Sequence, residues 1–130
     1  PKMPEGELVK VEYMEYGTMA GYQDYAAVEL QEDGTVVVKT LKECYGDIIE
    51  KKVKAEVLKD LRDIIREHKM YLYKQSYQPS FEVLDGYSWS FSATFSDGQT
   101  LSSGGSNAGP GGDGLRMLRD YVRELVTDSK

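Results

Sequence analysis

From Tyr87 to Ser96 the chain alternates without a break. Tyr87, Trp89, Phe91, Ala93 and Phe95 fall on one side, and Ser88, Ser90, Ser92, Thr94 and Ser96 on the other. A period of two in a run rich in aromatic residues describes a β-strand with one buried face and one polar face. The rest of the chain must therefore pair this strand's backbone and cover its aromatic side.

The strand has to turn at Ser96-Asp97-Gly98, where the Asp accepts local backbone hydrogen bonds and the Gly tolerates a positive φ. A two-residue loop would pair Phe95 with Thr100 and send Leu101 to the serine side. A three-residue loop with Gly98 in the left-handed position pairs Phe95 with Gln99 and Ala93 with Leu101, keeping Leu101 on the apolar side. Because a one-residue slip inverts every side chain, the second register is expected. Glu32-Asp33-Gly34 carries the same turn chemistry and by the same reasoning sets Leu30 opposite Val36 and Val28 opposite Val38.

Taken in order, Pro1 to Gly6 reads as a loose end with two prolines and a glycine. Leu8 to Tyr16 reads as a first strand, with Val9, Val11 and Tyr13 on one side and Lys10, Glu12 and Met14 on the other. Gly17 to Gly21 breaks it, and a second strand from about Tyr25 to Gln31 buries Val28 and Leu30. Residues 41–54 suit the end of a strand, a loop or a short extra strand. From about Ala55 to Met70 the period becomes helical, with Val57, Leu58, Leu61, Ile64, Ile65 and His68 in one stripe. Tyr71 to Gly86 is a long aromatic connection without a period. After the hairpin and a glycine-rich run, a second helix from about Gly114 to Val126 carries Leu115, Leu118, Tyr121, Val122 and Leu125, with Asp113 as N-cap. The expected fold is a single α+β domain over residues 1–130. Its order is β-β-β-α-β-β-α, with a mainly antiparallel sheet of about five strands and two helices on one face.

Composition narrows the function. Sixteen basic residues against twenty-two acidic ones leave a net charge of −6, which repels phosphate backbones and argues against nucleic-acid binding. A single cysteine, Cys44, allows no intrachain disulfide and no multi-cysteine metal site. No apolar run approaches the length of a membrane span, so no membrane insertion is expected. A chain that opens at Pro1 reads as a trimmed form, which leaves cytoplasm and export after leader removal equally open.

Each chemical constellation has a plainer counterpart. Gly104 to Gly114 precedes a helix, where free N–H groups and the helix dipole attract anions. It lacks the Lys-Ser or Lys-Thr of a phosphate loop, and Asp113 sits where a phosphate would, so a structural role for the glycines is the stronger reading. Cys44 and His68 are the only nucleophile–base pair available, yet a histidine in a helix stripe is more often packing. Metal binding would need Glu82, Asp85 and Asp97 to converge without calcium-loop spacing, so no metal and no cofactor are expected. Ser88, Ser90 and Ser92 sit on an open strand face with no sharp elbow to expose a nucleophile. Tyr71, Tyr73 and Tyr77, with Phe81, are amphipathic rings suited either to recognition or to capping the sheet's open end, and capping is the commoner fate.

Asp85-Gly86-Tyr87-Ser88-Trp89-Ser90, Phe95-Ser96-Asp97-Gly98 and Gly105-Ser106-Asn107-Ala108 together resemble the DGxSW…FSDG…GSNAxP signature of a family of small uncharacterised bacterial proteins. The likeness covers most of the chain in layout, including the Met19–Gly21 turn, and is specific from about Asp85 to Pro110. Here Gly109 stands between Asn107-Ala108 and Pro110, where the signature has proline directly. No activity is established for that family, so the resemblance implies no catalytic residues.

The expected function is a non-enzymatic binding or protein-interaction module whose aromatic and glycine-rich loops emerge at one end of the sheet. Its contact residues would be Tyr71, Tyr73, Tyr77, Phe81, Ser106, Asn107, Gly111 and Gly112, and its partner another protein or a second copy. The alternative is a small-anion or nucleotide-type ligand binder, or an enzyme, using backbone N–H groups at Gly111 to Gly114 with Ser106 and Asn107 as polar contacts.

Overall fold

The computed structural model describes residues 1–17, 19–79 and 86–127. The organising strand, β6, spans Ser88–Phe95 and buries every second side chain: Trp89, Phe91, Ala93 and Phe95 are each at most 3% exposed. Tyr87, expected on the same face, precedes the strand and is exposed. The other strands are β1 (Leu8–Tyr16), β2 (Asp24–Leu30), β3 (Val36–Leu41), β4 (Ile48–Val53), β5 (Ser76–Tyr77) and β7 (Thr100–Ser106). They form one sheet in the order β4-β3-β2-β1-β6-β7-β5, antiparallel throughout except that β5 runs parallel to β7. The sheet is therefore mixed and seven-stranded rather than five-stranded. The two additions come from segments with no readable period. β4 lies at the sheet's edge, where most of its side chains meet water and no alternation is imposed, and β5 is two residues long.

Both hairpins adopt the three-residue geometry. Val28 faces Val38, Leu30 faces Val36 and Ala93 faces Leu101. Gly34 and Gly98 take φ of +89° and +86°. Asp33 and Asp97 accept hydrogen bonds from Thr35 and Gln99, which hold both carboxyls below their ordinary pKa. Leu30, expected to be buried, is 41% exposed at the last position of its strand. In β1 a bulge falls between Leu8 and Lys10, so Leu8 and Val11, three apart, are both buried while Val9 is half-buried. A strict period of two had put Val9 with Val11.

Helix α1 (Glu56–Glu67) lays Val57, Leu58, Leu61 and Ile65 on the sheet. Helix α2 (Gly114–Thr127) adds Leu118 and Val122. The two helices are tied by the Tyr121 hydroxyl, which donates to Asp60 at 2.6 Å. Both belong to the same core as Val11, Val28, Val38, Phe91 and Phe95, and so cover one face of the sheet. Of the six N-terminal residues, Met3 packs on that core, and Arg62 of α1 donates to the carbonyls of Pro4 and Gly6 at 2.7 and 2.9 Å. The opposite face carries Ser88, Ser90, Ser92 and Thr94, with Tyr25 donating to Glu12 and Lys39 beside Glu50.

Candidate functional site

The aromatic connection is laid down onto the hairpin. A 3-10 turn at Met70–Leu72 is followed by β5, which the Gly104 amide anchors by donating to the Gln75 carbonyl at 3.1 Å. The Tyr73 ring meets Phe91 edge-on at 6.1 Å, and Tyr77 packs against Trp89 at 6.0 Å. The hydroxyl of Tyr73 takes a backbone hydrogen bond from Leu115, and burial above all, then the neighbouring Tyr77, raises its pKa. The hydroxyl of Tyr77 accepts from the Lys74 amide at 2.9 Å. Both rings thus cap Trp89 and Phe91. Tyr71 is half-buried and lines, with Tyr73, Phe91 and Leu101, a hollow of about 350 Å³. Phe81, like Glu82 and Asp85, lies outside the described residues.

The glycine-rich run divides into positions of different necessity. Gly104 and Gly105 belong to β7, and a side chain at Gly105 would collide with the Ala108 and Tyr77 carbonyls and the Trp89 indole. That close approach lets the Trp89 Nε1–H donate to Ala108 at 2.7 Å. Ser106 and Asn107 close the strand pair: Ser106 Oγ lies 3.1 Å from Ser88 Oγ, and Asn107, with φ of +54°, exchanges hydrogen bonds with the backbone of Tyr87. Residues 76–77 of the aromatic connection thus run alongside Gly104 and Gly105. Gly111 and Gly112 stand in open space. The Asp113 carbonyl accepts the Met117 amide at 2.8 Å, the position of an N-cap, and its carboxylate lies 3.5 Å from Arg116. Among the first amides of α2, that of Leu115 is already committed to Tyr73. Cys44 and His68 are separated: Cys44 is in the β3–β4 connection, whereas His68 caps α1 beside Gly114.

The strongest polar constellation was not visible in the sequence. Asp24, 9% exposed at the start of β2, accepts from Arg119 Nε at 2.9 Å and from Arg123 at 3.2 Å. Glu15, its cross-strand neighbour, accepts the Tyr13 hydroxyl at 2.7 Å and lies 3.9 Å from Arg119. The Arg119 guanidinium sits 4.8 Å above the Tyr13 ring, a cation–π contact. Burial first, then the bond to Glu15, raises the Tyr13 pKa far above the ordinary phenol range. This network floors a cleft of about 530 Å³ between α2 and the β3–β4 connection, where Lys42, Glu43 and Cys44 form the far wall. Its lining charges balance, with Glu15, Asp24 and Glu43 against Lys42, Arg119 and Arg123. The cleft therefore favours neither a bare anion nor a bare cation. Arg119 and Arg123 flank the Leu118–Val122 stripe at i, i+4 spacing, but that spacing alone does not name Asp24 or Glu15 as their partners.

Around the cleft, the ends of β1 and β3 and the starts of β2, β4 and β6 come together. The Tyr45 amide donates to Tyr22, Gln23 donates to the Tyr45 hydroxyl, and Gly17 approaches Gly86. Of eight exposed large apolar side chains among the described residues, five sit at this end: Tyr16, Met19, Tyr45, Ile48 and Tyr87. Among the described residues no group of His, Cys, Asp and Glu could hold a metal ion, and no helix is long and apolar enough to cross a membrane. Neither the protein-family models searched nor the curated proteins compared match this chain.

Proposed function

We propose that the protein is a binding module that recognises another polypeptide at the loop-bearing end of its sheet. The observation that carries this reading is the concentration there of Tyr16, Met19, Tyr45, Ile48 and Tyr87, which are between 37% and 66% exposed although each could have been a core residue. Exposed aromatic and methionine side chains gathered in one region characterise protein-contact surfaces, because they bury large areas at small entropic cost. This reading draws its contacts from rings other than Tyr73 and Tyr77. Tyr73 and Tyr77 are engaged with Phe91 and Trp89, while rings from three other segments face solvent.

A peptide-display selection against the folded protein tests this. Enriched peptides should lose binding to a Tyr16→Ser, Tyr45→Ser, Tyr87→Ser variant whose melting temperature is unchanged. Peptides that bind the variant as well as the parent, or no enrichment over an unrelated domain, would refute the reading.

A further inference from the structure

We infer that the free edge of β4 is a second recognition surface, which takes up an extended acidic segment of another polypeptide as an additional strand. β4 is an outermost strand, and among the described residues no segment pairs with its outer side. An edge strand presents a row of backbone N–H and C=O groups that an incoming strand can satisfy, and side-chain pockets alongside supply the selectivity. Such a pocket is present. A groove of about 430 Å³ runs between β4 and the helices, with Val53, Val57, Tyr121 and Leu125 as its apolar surface.

Charge selects the occupant. Residues 51–54 read Lys-Lys-Val-Lys in a chain whose net charge is −6. Three lysines line the groove against a single acid, Glu124. Lys52 and Lys54 are exposed at the rim, whereas Lys51 reaches across to donate to the Leu125 carbonyl at 3.0 Å and so ties the strand to α2. An incoming strand whose apolar residues alternate with Asp or Glu would place the apolar set in the groove and bring its carboxylates within reach of the lysines. A basic segment would meet like charge at the same positions. This surface is distinct from the aromatic end, so either can fail without the other.

The test uses a blocked synthetic peptide alternating Val with Glu and Asp, its counterpart with Lys in place of every acid, and an N-methylated acidic version unable to pair along its backbone. Titrated into isotopically labelled protein at low ionic strength, the acidic peptide should saturably shift the amides of Ile48–Val53. Binding should be lost for the other two peptides and at about 1 M salt, where the screening length falls to ~3 Å. Lys52→Glu and Lys54→Glu should each weaken it about fivefold, the worth of one exposed ion pair at its upper range. Equal binding of the lysine or N-methylated peptide, shifts confined to other strands, or no saturable shift would overturn the inference. So would a self-associated dimer whose β4 edge is already occupied by another copy.

Discussion

Replacing Gly105 by alanine is the sharpest trial of how the hairpin, the aromatic connection and the glycine-rich run are held together. A methyl group there would lie 2.5 Å from the Ala108 carbonyl oxygen, 2.8 Å from that of Tyr77 and 3.0 Å from Trp89 Nε1. Carbon–oxygen contacts settle near ~3.3–3.6 Å, so backbone on two sides must retreat by roughly 0.5–1 Å. Overpacking of that kind costs about 1–3 kcal/mol. The Trp89–Ala108 hydrogen bond spans the same gap, and its loss adds about 1 kcal/mol. Against this, alanine in a strand is favoured over glycine by roughly 0.5–1 kcal/mol. The net expectation is a loss of about 1–3.5 kcal/mol. Urea unfolding followed by the emission of Trp89, the single tryptophan, reads it directly. With m of ~2 kcal/mol/M the midpoint should fall by about 0.5–2 M. The native emission should also shift to the red as the indole loses its partner. Gly111→Ala is the matched control: nothing lies within 4 Å of the new methyl and the backbone φ is not positive, so its effect should be neutral to slightly stabilising. A Gly105→Ala protein within about 0.5 kcal/mol of the parent would refute the reasoning, because that is the scatter of inconsequential surface substitutions.

Two further outcomes follow from the buried polar groups. Tyr13, Tyr25, Tyr73 and Tyr121 all have raised pKa values with burial as the first cause. A folded pKa above the unfolded one gives stability that is complete below the unfolded value, about 10, and is lost as pH rises beyond it. Tyr13, at 2% exposure the most deeply buried of the four, should therefore show phenolate absorbance only together with alkaline unfolding, and its smooth titration in the folded protein would contradict the packing. Asp24→Asn keeps the shape of the side chain but leaves Arg119, whose side chain is 29% exposed, over Tyr13 with only the more distant Glu15 carboxylate, at 3.9 Å, as its acid. The cost should lie between that of an exposed and a buried pair, about 2 kcal/mol by urea unfolding. Adding Arg119→Met should recover part of it, whereas strict additivity would show that the two groups do not act as a unit.

What the sequence disclosed and what it withheld divide along one physical line. The alternation of β6, the two Asp-Gly turns and the stripes of α1 and α2 are each settled by residues a few positions apart, and these were legible. β4 was not, because an edge strand wets both of its faces and has no period to display. The bulge in β1 was hidden for a related reason: Leu8, Val9 and Val11 are all apolar, so pairing with β6 rather than side-chain type decides which of them point inward. The tyrosines were recognised as amphipathic, but whether a ring caps a core or meets a partner depends on what lies beneath it. Tyr73 and Tyr77 found Phe91 and Trp89, and Tyr16, Tyr45 and Tyr87 were left in water. Asp24 and Arg119 are 95 residues apart, and no local pattern joins them.

The arginines of α2 and the lysines at the β4 edge use their charge differently, and the difference follows their chemistry. The arginines of α2 are bound to carboxylates: Arg116 to Asp113 and Asp120, Arg119 to Asp24 and Glu15, and Arg123 to Asp24 and Asp120. The planar guanidinium can serve two acids at once and gives up hydration readily, which suits a helix flank packed against the end of a sheet. Lys51, Lys52 and Lys54 instead stand at the β4 edge, where a strongly hydrated charge on a flexible stem stays solvated beside backbone that no other described strand pairs. The arginine network is thus spent on holding α2 over the sheet, and its field is largely cancelled by its own acids. The field that reaches a partner from this side of the molecule comes from Lys52 and Lys54, which is why the edge, and not the helix, is where an acidic strand would be drawn.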